Sequence, residues 1–194
     1  PRSLPPSTGS VRWAQARPMR QSEPDLPLPP DELTTPMLIH LIRHAHAGSR
    51  SAWDKADHKR PLSPRGEGQA KAIGAALADA GIDELWTSPS LRCRQTLIPL
   101  AEATGLEVQV VDVFDEGNDG PPALDALLAA AAEGRTIAVC SHGDVIPAVV
   151  ATATRRGAEL EGPRAISKGG RYVATVTDGQ VSHIQAVAAP DGDT

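Results

Sequence analysis

Two short stretches of the chain could carry out chemistry. Residues 41–48, LIRHAHAG, and residues 138–144, AVCSHGD, each put a histidine directly behind an apolar run and follow it with a small residue. His44 is preceded by Arg43, and His142 by Ser141. A third stretch, residues 88–96, SPSLRCRQT, holds Arg92, and a fourth, residues 114–120, FDEGNDG, holds Asp115 and Glu116. A neutral imidazole can attack phosphorus, and guanidinium forks match phosphate oxygens with paired charge-assisted bonds. Two histidines, two arginines and a carboxylate would therefore suit a phosphoryl group. A surface turn, or a metal site built on His44-Ala45-His46, would use the same first stretch differently.

Elements must bring these residues together. MLIHLI (37–42) reads as a buried strand, and Ser63-Pro64 as an N-cap with proline at the first helical position. Ala70, Ile73, Leu77 and Ala80 continue that helix until Gly81. IDELWTS (82–88) is a second strand, and Ser88-Pro89 opens a helix towards Thr104 that Pro99 should kink or interrupt. LEVQVVDVF (106–114) is a third strand, and Pro121-Pro122 opens a helix with Leu124, Leu127, Leu128 and Ala131 on one face, ended by Gly134. RTIAVCS (135–141) is a fourth strand, and Pro147 requires the following helix to begin near Gly143. GRYVATVTDGQVSHIQAV (170–187) reads as two strands joined at Asp178-Gly179, a hairpin signal. Strands alternating with helices predict an α/β, three-layer sandwich, with a mostly parallel central sheet flanked by helices. Ligands of such sheets sit beyond the carboxyl ends of the strands, so His44 and His142 are expected in one crevice, with Arg92 leaning over it from a helix N-terminus.

Composition narrows the classes. The 194 residues carry a formal net charge of −5, which provides no general basic field for a nucleic-acid polymer. No run approaches the ~20 apolar residues of a membrane span, and no signal-peptide pattern opens the sequence. Two cysteines, Cys93 and Cys140, make no disulfide framework, so a cytoplasmic location is expected. Neither is followed by arginine six positions later, which excludes the Cys-x5-Arg phosphatase loop. Nine of the 18 prolines lie within residues 1–36, so that segment reads as a disordered extension or linker before a domain spanning 37–194. For a metal site, the only later histidine partners are His142 and His183, with Asp144 the only nearby aspartate. Neither metal nor other cofactor is expected.

Arg43-His44-Ala45, Ser88 to Thr96 and Ser141-His142-Gly143 together resemble the motifs of the histidine phosphatase superfamily, in the right order and on the right elements. The resemblance covers residues 37–188 and implies the phosphoglycerate-mutase-like fold. The short spacing is similar to the compact branch, which includes bacterial phosphohistidine phosphatases, and the C-terminal half to the phosphatase-like domain of some two-domain Nudix hydrolases. What the resemblance implies is a metal-independent phosphatase in which His44 becomes a phosphohistidine. Arg43, Arg92 and His142 would hold the phosphate oxygens, and Glu116 or its neighbour Asp115 would act as the acid. The implied partner is a phosphorylated small molecule or a phosphohistidine protein. Mutase-type phosphoryl transfer, a metal-dependent phosphoesterase and a non-catalytic phosphate-binding module are the rival readings. Arg60 and Lys168 are candidate substrate contacts at the rim. His40 reads as a packed strand histidine.

Overall fold

The structure is a computed structural model that describes residues 36–191. The proline-rich segment read over 1–36 lies outside the described residues apart from Pro36. The described chain alternates through β1 (Met37–Arg43), α1 (Pro64–Leu77), β2 (Glu84–Thr87), α2 (Leu91–Thr104), β3 (Val108–Val110), α3 (Gly120–Ala132), β4 (Ile137–Ser141), α4 (Val145–Arg155), β5 (Glu159–Glu161), β6 (Arg171–Thr177) and β7 (Gln180–Val187). The strands form one sheet in the order β3-β2-β4-β1-β6-β7-β5. The first four in that order run parallel, and β6 and β7 add an antiparallel hairpin beside β1.

The apolar runs of β1 and β4 are uninterrupted because both faces of the sheet centre are covered, as parallel sheets require. Ile39, Leu41, Ile137 and Val139 pack with Leu124, Leu127 and Val149 from α3 and α4. Ile42, Ala138 and Cys140 point the other way, onto Ile73, Leu97 and Leu100 from α1 and α2. The result is the expected α/β three-layer sandwich. No helix among the described residues is long and apolar enough to cross a membrane.

Local chemistry accounts for most boundaries. Ser63 caps α1 by accepting from the Gly66 amide at 3.3 Å, with Pro64 at the first helical position. Asp178 and Gly179 make the hairpin turn at φ 51° and 72°, the paired left-handed conformation that such a tight turn needs. Four expectations are corrected. The second helix is capped at Ser90 rather than Ser88, and it continues through Pro99 without interruption. Glycine at position 74 lets α1 come so close that a Cβ there would lie 2.9 Å from the Pro99 carbonyl carbon, and this packing sustains the helix where proline removes a hydrogen bond. The first helix ends at Leu77, short of Gly81. The third strand shrinks to Val108–Val110, because Asp112–Phe114 turn as a 3-10 helix that buries Phe114. Strand β5, a short edge strand of Glu159, Leu160 and Glu161, gave no apolar signal and was not anticipated.

Candidate active site

β1 and β4 run side by side, with Arg43 opposite Ser141 at their carboxyl ends. The backbone just beyond is pinned from two directions. His44 N–H donates to the Ser141 carbonyl at 3.0 Å, and Gly169 N–H donates to the carbonyls of Arg43 and His44 at 3.1 Å each. The His44 ring is buried, and its Nδ1–H donates to the Ala45 carbonyl at 2.8 Å. That bond places the ring proton on Nδ1 and leaves the Nε2 lone pair free. Burial lowers the His44 pKa to about 3; the Ala45 carbonyl opposes the shift, and Arg92, His142 and Lys168 reinforce it. The imidazole is thus neutral over the whole range in which most proteins are folded.

His142 comes to His44 from the end of β4, with ring centroids 5.6 Å apart and the planes edge-on. Its two nitrogens are both engaged. Arg92 Nη2 lies 3.2 Å from Nδ1 and Ser88 Oγ 2.7 Å from Nε2, and Ser88 in turn donates to Asp115 Oδ1 at 3.0 Å. These bonds are mutually consistent when Nδ1 accepts from Arg92 and Nε2–H donates to Ser88. Arg92, in the first turn of α2, is only 1% exposed and carries the densest set of partners. Its guanidinium pairs with Asp57 at 3.1 Å and Glu116 at 3.0 Å and donates to the Asp57 carbonyl at 2.9 Å. A charge so deeply buried is tolerated because carboxylates compensate it.

The rim is built to carry Asp115 and Glu116. Ser141 Oγ donates to the Phe114 carbonyl at 2.7 Å, drawing the loop over the end of β4. Asp144 caps α4 by accepting from Val145 N–H and also takes Gly117 N–H, each at 2.8 Å. Burial raises the Asp144 pKa, but these amide bonds outweigh it and hold the carboxyl below its usual range. Arg43 ends β1 half-buried, with Nη1 donating to the Ile166 carbonyl at 2.6 Å. Gly143 is needed beside it, since a Cβ there would sit 2.6 Å from the Arg43 guanidinium.

All six sequence-derived residues, Arg43, His44, Arg60, Arg92, Glu116 and His142, therefore lie around one strand-end site or its wall. Arg60 is the most indirect: its guanidinium is buried, pairs with Asp57 at 2.9 Å and donates to the Ala47 carbonyl at 2.7 Å. Three participants were missed. Asp57 ties Arg92, Arg60 and Arg50 together, Arg50 also reaches Glu116 at 3.3 Å, and Ser88 links His142 to Asp115. Asp57 and Arg50 belong to a loop without periodicity, and Ser88 read as a helix cap. His46 turns away from the His-x-His metal arrangement, its Nδ1 lying 2.7 Å from Ser63 Oγ. Among the described residues, no three His, Cys, Asp or Glu side chains are grouped to hold a metal ion.

Residues 39–123 match the histidine phosphatase superfamily (branch 1). An 8-oxo-(d)GTP phosphatase of Mycolicibacterium smegmatis is 30% identical over 156 residues, 79% of this chain. The chain spans 48% of that relative's length, about half. Over residues 39–123, from β1 into α3, the chain is a histidine phosphatase superfamily sequence. Among solved structures, a protein from Nakamurella multipartitia named for the phosphohistidine phosphatase SixA is 29% identical and superposes with a TM-score of 0.61, covering 80% of this chain and 96% of that one. The protein histidine phosphatase SixA complexed with tungstate shares the fold at 20% identity, with a TM-score of 0.64 over 80% of this chain and 97% of that one. The superfamily resemblance drawn from Arg43-His44-Ala45, the Arg92 segment and Ser141-His142-Gly143 holds.

Proposed function

We propose that the chain is a phosphatase that hydrolyses phosphomonoesters or phosphohistidine through a covalent phosphohistidine on His44. The observation that carries this reading is the His44 ring itself: Nδ1–H is tied to the Ala45 carbonyl, so Nε2 presents a lone pair beside Arg92 and His142. Nε2 attacks phosphorus, and the bond from phosphorus to the leaving oxygen or nitrogen breaks with its electron pair on the departing atom. Arg43 and Arg92 take up charge on the non-bridging oxygens, and His142 joins them when its Nε2–H turns from Ser88 to the third oxygen, the principal catalytic contribution in phosphoryl transfer. When a phosphoryl group claims the Arg92 donors, the Arg92–Glu116 pair opens and frees Glu116 to protonate the leaving group. Asp115, held through Ser88, is the alternative acid. Water then attacks the phosphohistidine, the N–P bond breaks, and the same carboxylate takes the water's proton. No step calls on a metal ion.

The substrate is a phosphorylated small molecule or a phosphohistidine protein. Both classes are represented among similar proteins, by the relative named for 8-oxo-(d)GTP and the structures named for phosphohistidine. The test is phosphate release from p-nitrophenyl phosphate, a nucleoside phosphate and a phosphohistidine protein, with EDTA present, for the wild type and His44→Ala. EDTA-resistant release that disappears in the variant is expected. Release that EDTA abolishes, or that survives in His44→Ala, contradicts the reading.

A further inference from the structure

Beside the strand-end site lies a second cavity of about 320 Å³, lined by His46, Arg65, Gln69, Ser167, Lys168 and Asp191 together with Ala189 and Pro190. Three of its walls are cationic or can donate a proton, and Asp191 is its only carboxylate. Neither Arg65 nor Lys168 makes an ion pair with any described residue, whereas Arg43, Arg60 and Arg92 are bonded to carboxylates or carbonyls nearby. Lys168 is partly buried, and its pKa is lowered by that burial and by Arg60, Arg43 and Arg92, so its charge is felt at the phosphoryl arginines as well as in this cavity. Burial also lowers the His46 pKa, with Lys168, Arg65 and Arg60 contributing.

Hydrogen bonds tie the cavity wall to the first site. Gln69 accepts from His46 N–H at 2.9 Å and donates to the Lys168 carbonyl at 3.3 Å, bridging the two cationic walls. Gly169, next to Lys168, donates to the carbonyls of Arg43 and His44. It does so at φ +82°, with the Gln69 amide 3.1 Å from where a Cβ would be, so glycine is required there. The His46 ring is held at this wall by its Nδ1, 2.7 Å from Ser63 Oγ and 3.4 Å from the Gly48 amide nitrogen. Cations without an ion-pair partner among the described residues, beside a phosphoryl site, are complementary to an anion attached to the same substrate.

We infer that Arg65, Lys168 and His46 form a second anion subsite, and that the substrate carries a further phosphate-like group beside the phosphoryl that His44 attacks. This rests on the phosphatase reading for the role of the first site, but the subsite itself is a matter of binding. Methylenediphosphonate presents both groups and cannot be hydrolysed, and methylphosphonate presents one. Calorimetric titration of the full chain should show the diphosphonate binding about tenfold more tightly, the effect of one added charge-assisted contact. In Arg65→Gln, and separately in Lys168→Gln, that ratio should fall towards one. Equal affinities in the wild type, or a preference unchanged in both variants, overturn the inference. Turnover of p-nitrophenyl phosphate, measured alongside, separates the two ideas. A wild type that prefers the diphosphonate through Arg65 yet releases no phosphate keeps the subsite and removes the phosphatase reading. A wild type that releases phosphate but lacks the preference does the reverse.

Discussion

At the carboxyl ends of β1 and β4 the protein buries charge and imidazole; along the β6–β7 hairpin it buries almost only apolar side chains. In the hairpin, β6 alternates between buried Tyr172, Ala174 and Val176 and their partly exposed neighbours, and the one polar tip, the Tyr172 hydroxyl, donates to the Pro163 carbonyl at 2.9 Å. At the strand ends, Arg92, His44 and His142 are each 5% exposed or less, and each is held by specific bonds. The hairpin satisfies local rules and carries none of the candidate site side chains. The strand ends violate them and are compensated by a network, the pattern expected where structure is constrained by function. Four substitutions or conditions would break or sharpen this contrast.

The largest effect is expected from His44→Ala, which removes the nitrogen proposed to attack phosphorus. Steady-state phosphate release should fall on the order of 10³-fold or more, with little change in the thermal midpoint. Next is Arg92→Lys, which keeps the charge but loses the fork shared among Asp57, Glu116 and a bound phosphoryl group. A fall in kcat of about 10²-fold is expected, the size of losing an aligned donor in a preorganised site. If Arg92→Lys turns over as the wild type does, the network is structural only.

The third concerns the histidines of β1 and its end. Burial lowers the pKa of His40 to about 4, with Arg171 assisting, and burial likewise lowers that of His44 to about 3, both below an unfolded value of 6.5. Between those values the unfolded chain binds more protons than the folded one, so stability must fall as pH drops from about 6.5 towards 4. His40→Leu should flatten that slope, because the variant no longer loses stability to protonation of residue 40 in the unfolded chain. Urea unfolding at pH 7 and pH 5 measures it, and an equal slope in wild type and variant refutes the assignment. The smallest effect belongs to the hairpin. Gly179→Ala puts a side chain at φ 72° and should cost about 1 kcal/mol of stability while kcat stays at the wild-type value. A loss of turnover there would erase the contrast between the two regions.

The same contrast explains what could be read from the residues alone. The hairpin, α1 with its Ser63 cap, and α4 starting just before Pro147 were legible because capping, turn and proline rules act over a few positions. The pairing of His44 with His142 was legible because each ends an apolar run, and the sheet brings such ends together. Asp57 and Arg50 were not, since their role depends on where a loop without periodicity folds back over α2. Ser88 looked like a helix cap because a serine before proline has that local meaning, whereas its hydroxyl is claimed by His142 and Asp115 from other elements. The continuity of α2 through Pro99 depends on Gly74 across the helix interface, another long-range effect.

The central claim is that His44 Nε2 takes the phosphoryl group. The direct measurement is to react the protein with p-nitrophenyl phosphate, quench in alkali, where a phosphoramidate survives, and map the phosphorylated peptide by mass spectrometry. The account predicts one phosphorylated site, at His44, absent in His44→Ala and discharged by acid. Phosphate release without any adduct, or an adduct at another residue that persists in His44→Ala, would contradict it.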